Sequence, residues 1–219
     1  MGTAVVIGIL PAEPLMAQEH APPVLEIYRD SLTQGSGRAY RAVEEDAARI
    51  CADLNCPHPH LAIESLTGPK EVWWLNAFDS EAHRQQLVNA YAGNRALTMA
   101  LEGISKRKEG LVGKPVDLFV TYRPDLSGGA TWKLRGTRFF VVTVTTQDRE
   151  TRGSVFEAPD GTRFVLRPAA TSDVADALAA AAGPETTVFA VRPYWGMPAR
   201  DWMAADPEFW SSNPMAKAK

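Results

Sequence analysis

The hydrophobic pattern switches repeatedly between two periods along residues 24–124. Val24–Leu32 alternates apolar and polar positions as a strand does, and Gly35-Ser36-Gly37 marks a turn after it. From Ala39 the spacing lengthens. Tyr40, Val43, Ala47, Ile50 and Leu54 recur every three or four residues, which predicts a helix with Arg41, Glu44, Glu45, Arg49 and Asp53 mostly on its other faces. Pro57 and Pro59 stop it. Two further strands, His60–Leu66 and Glu71–Phe78, are joined through Thr67-Gly68-Pro69-Lys70, a turn sequence suited to a hairpin. Ser80 then caps a second helix that carries His83 in its first turn and runs to about Gly110, with a break near Gly93-Asn94. Val116–Tyr122 is the last strand. Two crossovers sharing one hairpin predict a split βαβ, or ferredoxin-like, unit with both helices on one face of the sheet.

The second half replays part of this order. Strand Thr137–Thr146 is rich in β-branched and aromatic residues, Pro159-Asp160-Gly161 closes the pair Ser154–Ala158 and Thr162–Arg167, and a helix at Val174–Ala182 leads to a strand ending at Val191. Only Gln147–Arg152 separates the first two of these strands, too little for a helical crossover, so the repeat lacks its first helix. In both halves the closing strand ends in Arg-Pro, at Arg123-Pro124 and Arg192-Pro193. The expected class is α+β, with tandem ferredoxin-like units at 23–124 and 131–198, Asp125–Gly129 as linker and a tail at 199–219. Two sheets are expected.

Residues 1–22 stand outside that reasoning. Ala4–Leu10 is apolar and Leu15-Met16-Ala17 precedes the polar Gln18-Glu19-His20, which reads as a truncated secretory signal cleaved before Gln18, and hence as an exported, periplasmic or secreted protein. The basic n-region is missing, and the other reading is a short strand or arm of a cytoplasmic protein. Two cysteines, Cys51 and Cys56, are too few for a disulfide framework and match no zinc spacing, so the expected metal content is none. Separate thiols are expected, because a bridge would require Asn55 to turn the chain sharply.

Composition narrows the partners. With 23 Lys+Arg against 26 Asp+Glu, nothing favours a phosphate backbone, and no apolar run approaches the ~20 residues of a membrane span. The pattern predicts neither a nucleic-acid binder nor an integral membrane protein. Neither a nucleophile elbow nor a Gly-rich phosphate cradle is present. The basic cluster Arg95, Lys106, Arg107 and Lys108 reads as the solvated end of a helix.

Strand alternation sorts the first sheet into two faces. Leu25, Ile27, Leu61, Ile63, Trp73 and Leu75 form the more uniformly apolar one, expected beneath the helices. The other carries Glu26, Tyr28, Ala62, Glu64, Trp74 and Asn76, with Phe119 and Thr121 from the last strand, a mixture of aromatic and polar groups suited to a small-molecule cavity or to an interface between sheets. The candidate ligand-binding residues are Tyr28, Glu64, Trp74, Asn76, Phe119 and His83, and no catalytic residue is assigned. His58 and His60 read as exposed loop imidazoles.

The segment Leu66-Thr-Gly-Pro-Lys-Glu-Val-Trp-Trp-Leu-Asn-Ala-Phe-Asp-Ser-Glu-Ala-His83 resembles exported bacterial proteins of the dimeric α+β barrel superfamily, which includes antibiotic-biosynthesis-type monooxygenases and NIPSNAP-like proteins. Tyr122-Arg-Pro-Asp-Leu-Ser127 and Arg138–Thr146 are similar to the junction between two such units. The resemblance implies sheets facing each other across a barrel, through self-association or an intramolecular pseudo-dimer. Members range from cofactor-free oxygenases to haem-degrading enzymes and proteins without known activity. Haem-degrading members place a strand Trp and a helix His about as far apart as Trp73 and His83, with the imidazole on iron, but their first-strand Asn has no counterpart in Val24–Leu32. The expectation is a small-molecule-binding or structural barrel without a cofactor; a cofactor-independent or haem-using monooxygenase is the alternative.

Overall fold

A computed structural model describes residues 20–128, 132–147 and 151–217. The expected signal segment and its cleavage site before Gln18 lie outside them. In chain order the first half contains β1 (Val24–Ser31), α1 (Gly37–Leu54), β2 (His60–Ser65), β3 (Glu71–Phe78), α2 (Glu81–Gly93), α3 (Arg95–Lys108) and β4 (Val116–Tyr122). Then come β5 (Ser127–Gly128), β6 (Phe139–Thr145), β7 (Thr151–Arg152), β8 (Ser154–Glu157), β9 (Arg163–Ala169), α4 (Ser172–Ala182) and β10 (Thr186–Val191). Three short helices follow: α5 (Arg200–Ala205), α6 (Pro207–Trp210) and α7 (Pro214–Lys217).

Eight of the strands form one closed antiparallel barrel in the order β1-β3-β2-β10-β6-β9-β8-β4. This corrects the expectation of two sheets. The halves join edge to edge, β2 to β10 over Ile63–Ser65 and β4 to β8 at Thr121 and Tyr122, which closes the barrel. Within each half the order is the same, fourth-first-third-second, and the second half has a single helix, α4, on its strands β6, β9 and β10. The short strands β5 and β7 pair in parallel outside the barrel, and Ser127 Oγ accepts the Val155 N–H at 3.0 Å, which ties the connecting segment to β8.

Barrel closure decides which face is which. Leu25, Ile27, Ile63, Trp73 and Leu75 pack with Phe140, Phe156, Phe164, Leu166 and Phe189 of the second half in a single core. Trp73 lies 4.7 Å from Phe189 and 6.0 Å from Phe164, centroid to centroid. The uniformly apolar set thus fills the barrel, and the mixed set faces the helices, the reverse of the expected assignment. The physical reason is solvent access: a barrel interior has none, whereas a helix layer leaves gaps at its edges where polar groups are tolerated. Trp202 of α5 and Trp210 of α6 join the barrel core, and the space between them and Phe140 is only about 10 Å³, too small for a ligand.

Two local signals read from the sequence hold. Ser80 Oγ accepts the His83 N–H at 3.1 Å and starts α2, and Asn94 Oδ1 accepts the Leu97 N–H at 3.1 Å, separating α2 from α3 at the expected break. The cysteines do not follow expectation. Asn55 takes a left-handed conformation (φ 55°) at the end of α1, which returns the chain so that Cys51 and Cys56 form a disulfide. The sharp turn required for a bridge is therefore present.

Candidate functional site

Rows of outward-facing residues cross the sheet. Glu26 on β1 sits opposite Asn76 on β3, which sits opposite His60 on β2; one row along, Tyr28 faces Trp74 and Trp74 faces Ala62. Helices α1 and α3 pack together above these rows, and between helices and sheet lies a cavity of about 410 Å³. Tyr28, Trp74 and Tyr91 supply aromatic surface, Ala48, Leu101 and Ile104 aliphatic surface, and Glu26, Asn76 and His60 polar groups on the sheet side. This combination of apolar walls with a few convergent polar groups is that of a small-molecule site. Gly196 closes one edge, where φ is +70° and a Cβ would meet the His60 carbonyl oxygen at 2.9 Å; only glycine lets the chain approach so near.

A buried charge cluster forms the end of the cavity nearest the C-terminus of α3. Lys108 Nζ lies 2.5 Å from Asp30 Oδ2 and 2.9 Å from Glu44 Oε1, and its ammonium stands over the rings of Tyr28 and Tyr40 at 5.6 and 5.5 Å. Tyr40 donates to Asp30 Oδ2 at 2.7 Å. Burial raises the Glu44 carboxyl above its ordinary range, and Lys108 only partly opposes it. Burial works against the Lys108 charge, but Glu44 and Asp30 outweigh it and hold the ammonium above its usual value. With all three groups ionised the cluster carries a net charge of −1.

Glu26 is the second carboxyl of the cavity, on its sheet side. Desolvation, then the neighbouring Asp117 carboxyl, pushes it up to about 7, with Arg84 pulling the other way. A carboxyl there exchanges its proton near neutral pH, as a binding switch or general base requires. His60 is lowered to about 4 by burial and stays neutral; its Nδ1 lies 3.3 Å from the His58 carbonyl oxygen. Burial also pushes the Tyr91 hydroxyl up to about 12.

Of the residues singled out from the sequence, Tyr28, Trp74 and Asn76 meet in the cavity. The others are elsewhere. Glu64 accepts a bond from Arg192 Nε at 2.5 Å. Phe119 is exposed on the outer side of β4 with the Arg84 guanidinium 5.0 Å from its ring. His83 packs against His58 and Phe78 at 5.9 and 6.2 Å and has its Nδ1 3.3 Å from Asp79 Oδ2. His58 is buried and stacked on Phe78, so it is not the exposed imidazole expected, and burial lowers it to about 4. Lys108 likewise is enclosed, and Glu44 is buried where a polar helix face was expected. Among the described residues no group of three or more His, Cys, Asp or Glu is arranged to hold a metal ion, and no helix is long and apolar enough to cross a membrane.

Sequence reasoning set Glu26 on the cavity face without naming it a ligand residue, and gave no site role to Asp30, Tyr40, Glu44, His60, Tyr91 or Lys108. One signal was present. Glu44 falls on the stripe Tyr40, Glu44, Ala48, Cys51, so an acid occupies the middle of the buried face of α1.

These features define an α+β barrel with a cavity beneath its helices. No family model matches the chain, and no curated protein matches it. Among solved structures the chain is similar to a candidate monooxygenase from Fusobacterium nucleatum subsp. nucleatum, at 11% identity and a TM-score of 0.49, over 78% of this chain and 93% of that one. It is also similar to a candidate monooxygenase from Lactobacillus acidophilus, at 9% identity and a TM-score of 0.44, over 78% of this chain and 94% of that one. The functional reading therefore rests on the residues of the cavity.

Proposed function

We propose that the protein binds a small organic molecule in the cavity between its sheet and helices α1 and α3. The observation that carries this reading is the meeting of Glu26, Asn76 and His60 with Tyr28, Trp74 and Tyr91 around one space of about 410 Å³. That volume suits a one- or two-ring compound. The shared strand order of the two halves supports an origin by duplication of one ferredoxin-like unit, an intramolecular pseudo-dimer of the dimeric α+β barrel type. The Cys51–Cys56 disulfide supports an oxidising compartment, and with it export.

A cofactor-independent oxygenase is the second reading, and Glu26 is the observation that favours it. An activated phenol must lose a proton before its carbon skeleton reacts with oxygen, and a carboxyl titrating near 7 inside an apolar cavity can accept that proton. The haem alternative does not fit these residues. His83, the imidazole the resemblance would place on iron, packs on Phe78 and His58 and is not in the cavity wall.

Ser105 lines the cavity from an exposed position, so Ser105→Trp obstructs its mouth without overpacking the core. A fragment library screened by thermal shift is expected to yield compounds that raise the melting temperature of the unmodified protein and leave that of Ser105→Trp unchanged. Compounds that stabilise both alike, or a library without hits, would count against the cavity.

A further inference from the structure

The charge inventory of the cavity points to the class of its ligand, an inference that rests on the small-molecule reading above. Two carboxyl groups, Glu26 and Glu44, line the space, against the single ammonium of Lys108. That ammonium is already committed, to Glu44 at 2.9 Å and to the fully buried Asp30 at 2.5 Å. Among the described residues, no cation in the cavity wall is left for an incoming anion.

The surroundings of Glu26 sharpen the point. Asp117 from β4 adds a second acid beside it, while Asn76 from β3 and the neutral His60 from β2 bring no charge. Tyr91 from α2 stays protonated. Arg84, also from α2, is the cation that acts on Glu26 among the described residues, and it forms a forked pair with Glu81 and lies over Phe119, so Glu26 and Asp117 share a charge that is already engaged elsewhere. Glu26 and Asp117 thus set two carboxyl groups against one guanidinium that is already paired with Glu81. A carboxylate so placed gains most from a cation brought in from outside.

The remaining walls suit the same guest. The faces of Tyr28, Trp74 and Tyr91 carry the negative quadrupole that attracts an ammonium, and Lys108 already uses Tyr28 in this way from within the protein. We propose that the cavity takes an organic cation, an aromatic or aliphatic amine or quaternary ammonium, with its charged nitrogen at Glu26 and its body between Tyr28, Trp74 and Tyr91. A carboxylate-bearing ligand of the same shape would meet uncompensated negative charge. A neutral one would forgo the ion pair with Glu26.

Three probes share an indole body and differ in charge: tryptamine, its alcohol analogue tryptophol, and indole-3-acetate. At pH 8, isothermal titration is expected to show tryptamine binding about tenfold or more tightly than tryptophol, with indole-3-acetate weakest. The amine stays protonated from pH 6 to 8 while Glu26 ionises, so tryptamine affinity should rise severalfold across that interval. Glu26→Gln should cut the ratio of tryptamine to tryptophol affinity about tenfold and flatten the pH dependence. The pH series on the unmodified protein stands as evidence should that variant fold poorly. Equal or tighter binding of tryptophol or indole-3-acetate at pH 8 overturns the inference, and so does absence of tryptamine binding. If tryptophol binds best and Ser105→Trp abolishes its binding, the charge preference alone is wrong and the cavity survives.

Discussion

Trp73→Ala lowers the free energy of unfolding by about 3–5 kcal/mol, read as a lower urea midpoint with an unchanged slope. Trp73 is only 2% exposed, and its ring meets Phe189 and Phe164, residues from the other half of the chain. Its removal opens a cavity where the two halves share their core, and aromatic rings held by barrel strands cannot collapse to refill it. The neighbouring Trp74→Ala should cost much less, since that ring is half-buried and already borders empty space. Equal losses from the two truncations would mean that the interior and exterior faces of the barrel have been misassigned.

Lys108→Ala should be comparably damaging, about 3–5 kcal/mol at pH 7, because it leaves Asp30 and Glu44 buried without their counter-ion. The sign of its pH dependence follows from Glu44. Burial already raises that carboxyl, and loss of Lys108 removes the contact that opposes the rise. A carboxyl whose folded value lies above its unfolded value penalises folding once pH exceeds the unfolded value, near 4.5, and the penalty fades below it. Urea denaturation should therefore show a large deficit for the variant at pH 7 and a smaller one near pH 4.5. A deficit independent of pH would indicate that Lys108 contributes packing alone.

Local structure was largely legible. The strand Glu71–Phe78 and the strand Val116–Tyr122 have the bounds read from alternation, and the helix break at Gly93-Asn94 follows from the capping chemistry of Asn94. The division of β1, β2 and β3 into two sets of residues was also correct. Which set faces inward was not, because alternation separates faces without saying what covers them. Both faces here are buried, one by the opposite wall of a barrel and one by helices, and that choice depends on pairings between β4 and β8 and between β2 and β10 that are remote in sequence.

The candidate site was legible to a similar depth. Tyr28, Trp74 and Asn76 share a face of adjacent strands, so alternation brought them together. Glu64 and Phe119 share that parity but lie away from the cavity, Glu64 against Arg192 and Phe119 exposed on β4. Lys108 resembled any lysine at a helix end, and only the fold sets it between Asp30 and Glu44. The disulfide turned on one residue, Asn55, whose tolerance of the left-handed conformation has no periodic signature.

The central claim is that the ligand site lies beneath the helices and outside the barrel. Proton–nitrogen spectra of protein labelled at tryptophan test it most directly, since the adjacent residues Trp73 and Trp74 report from opposite faces of one strand. Their indole signals can be assigned by Trp→Phe substitution. On titration with a compound that stabilises the unmodified protein but not Ser105→Trp, the Trp74 indole signal should move in step with occupancy, and that of Trp73, whose Nε1 donates to Glu71 at 2.7 Å, should stay in place. A shift of Trp73 with Trp74 unmoved would place the ligand inside the barrel and contradict the account.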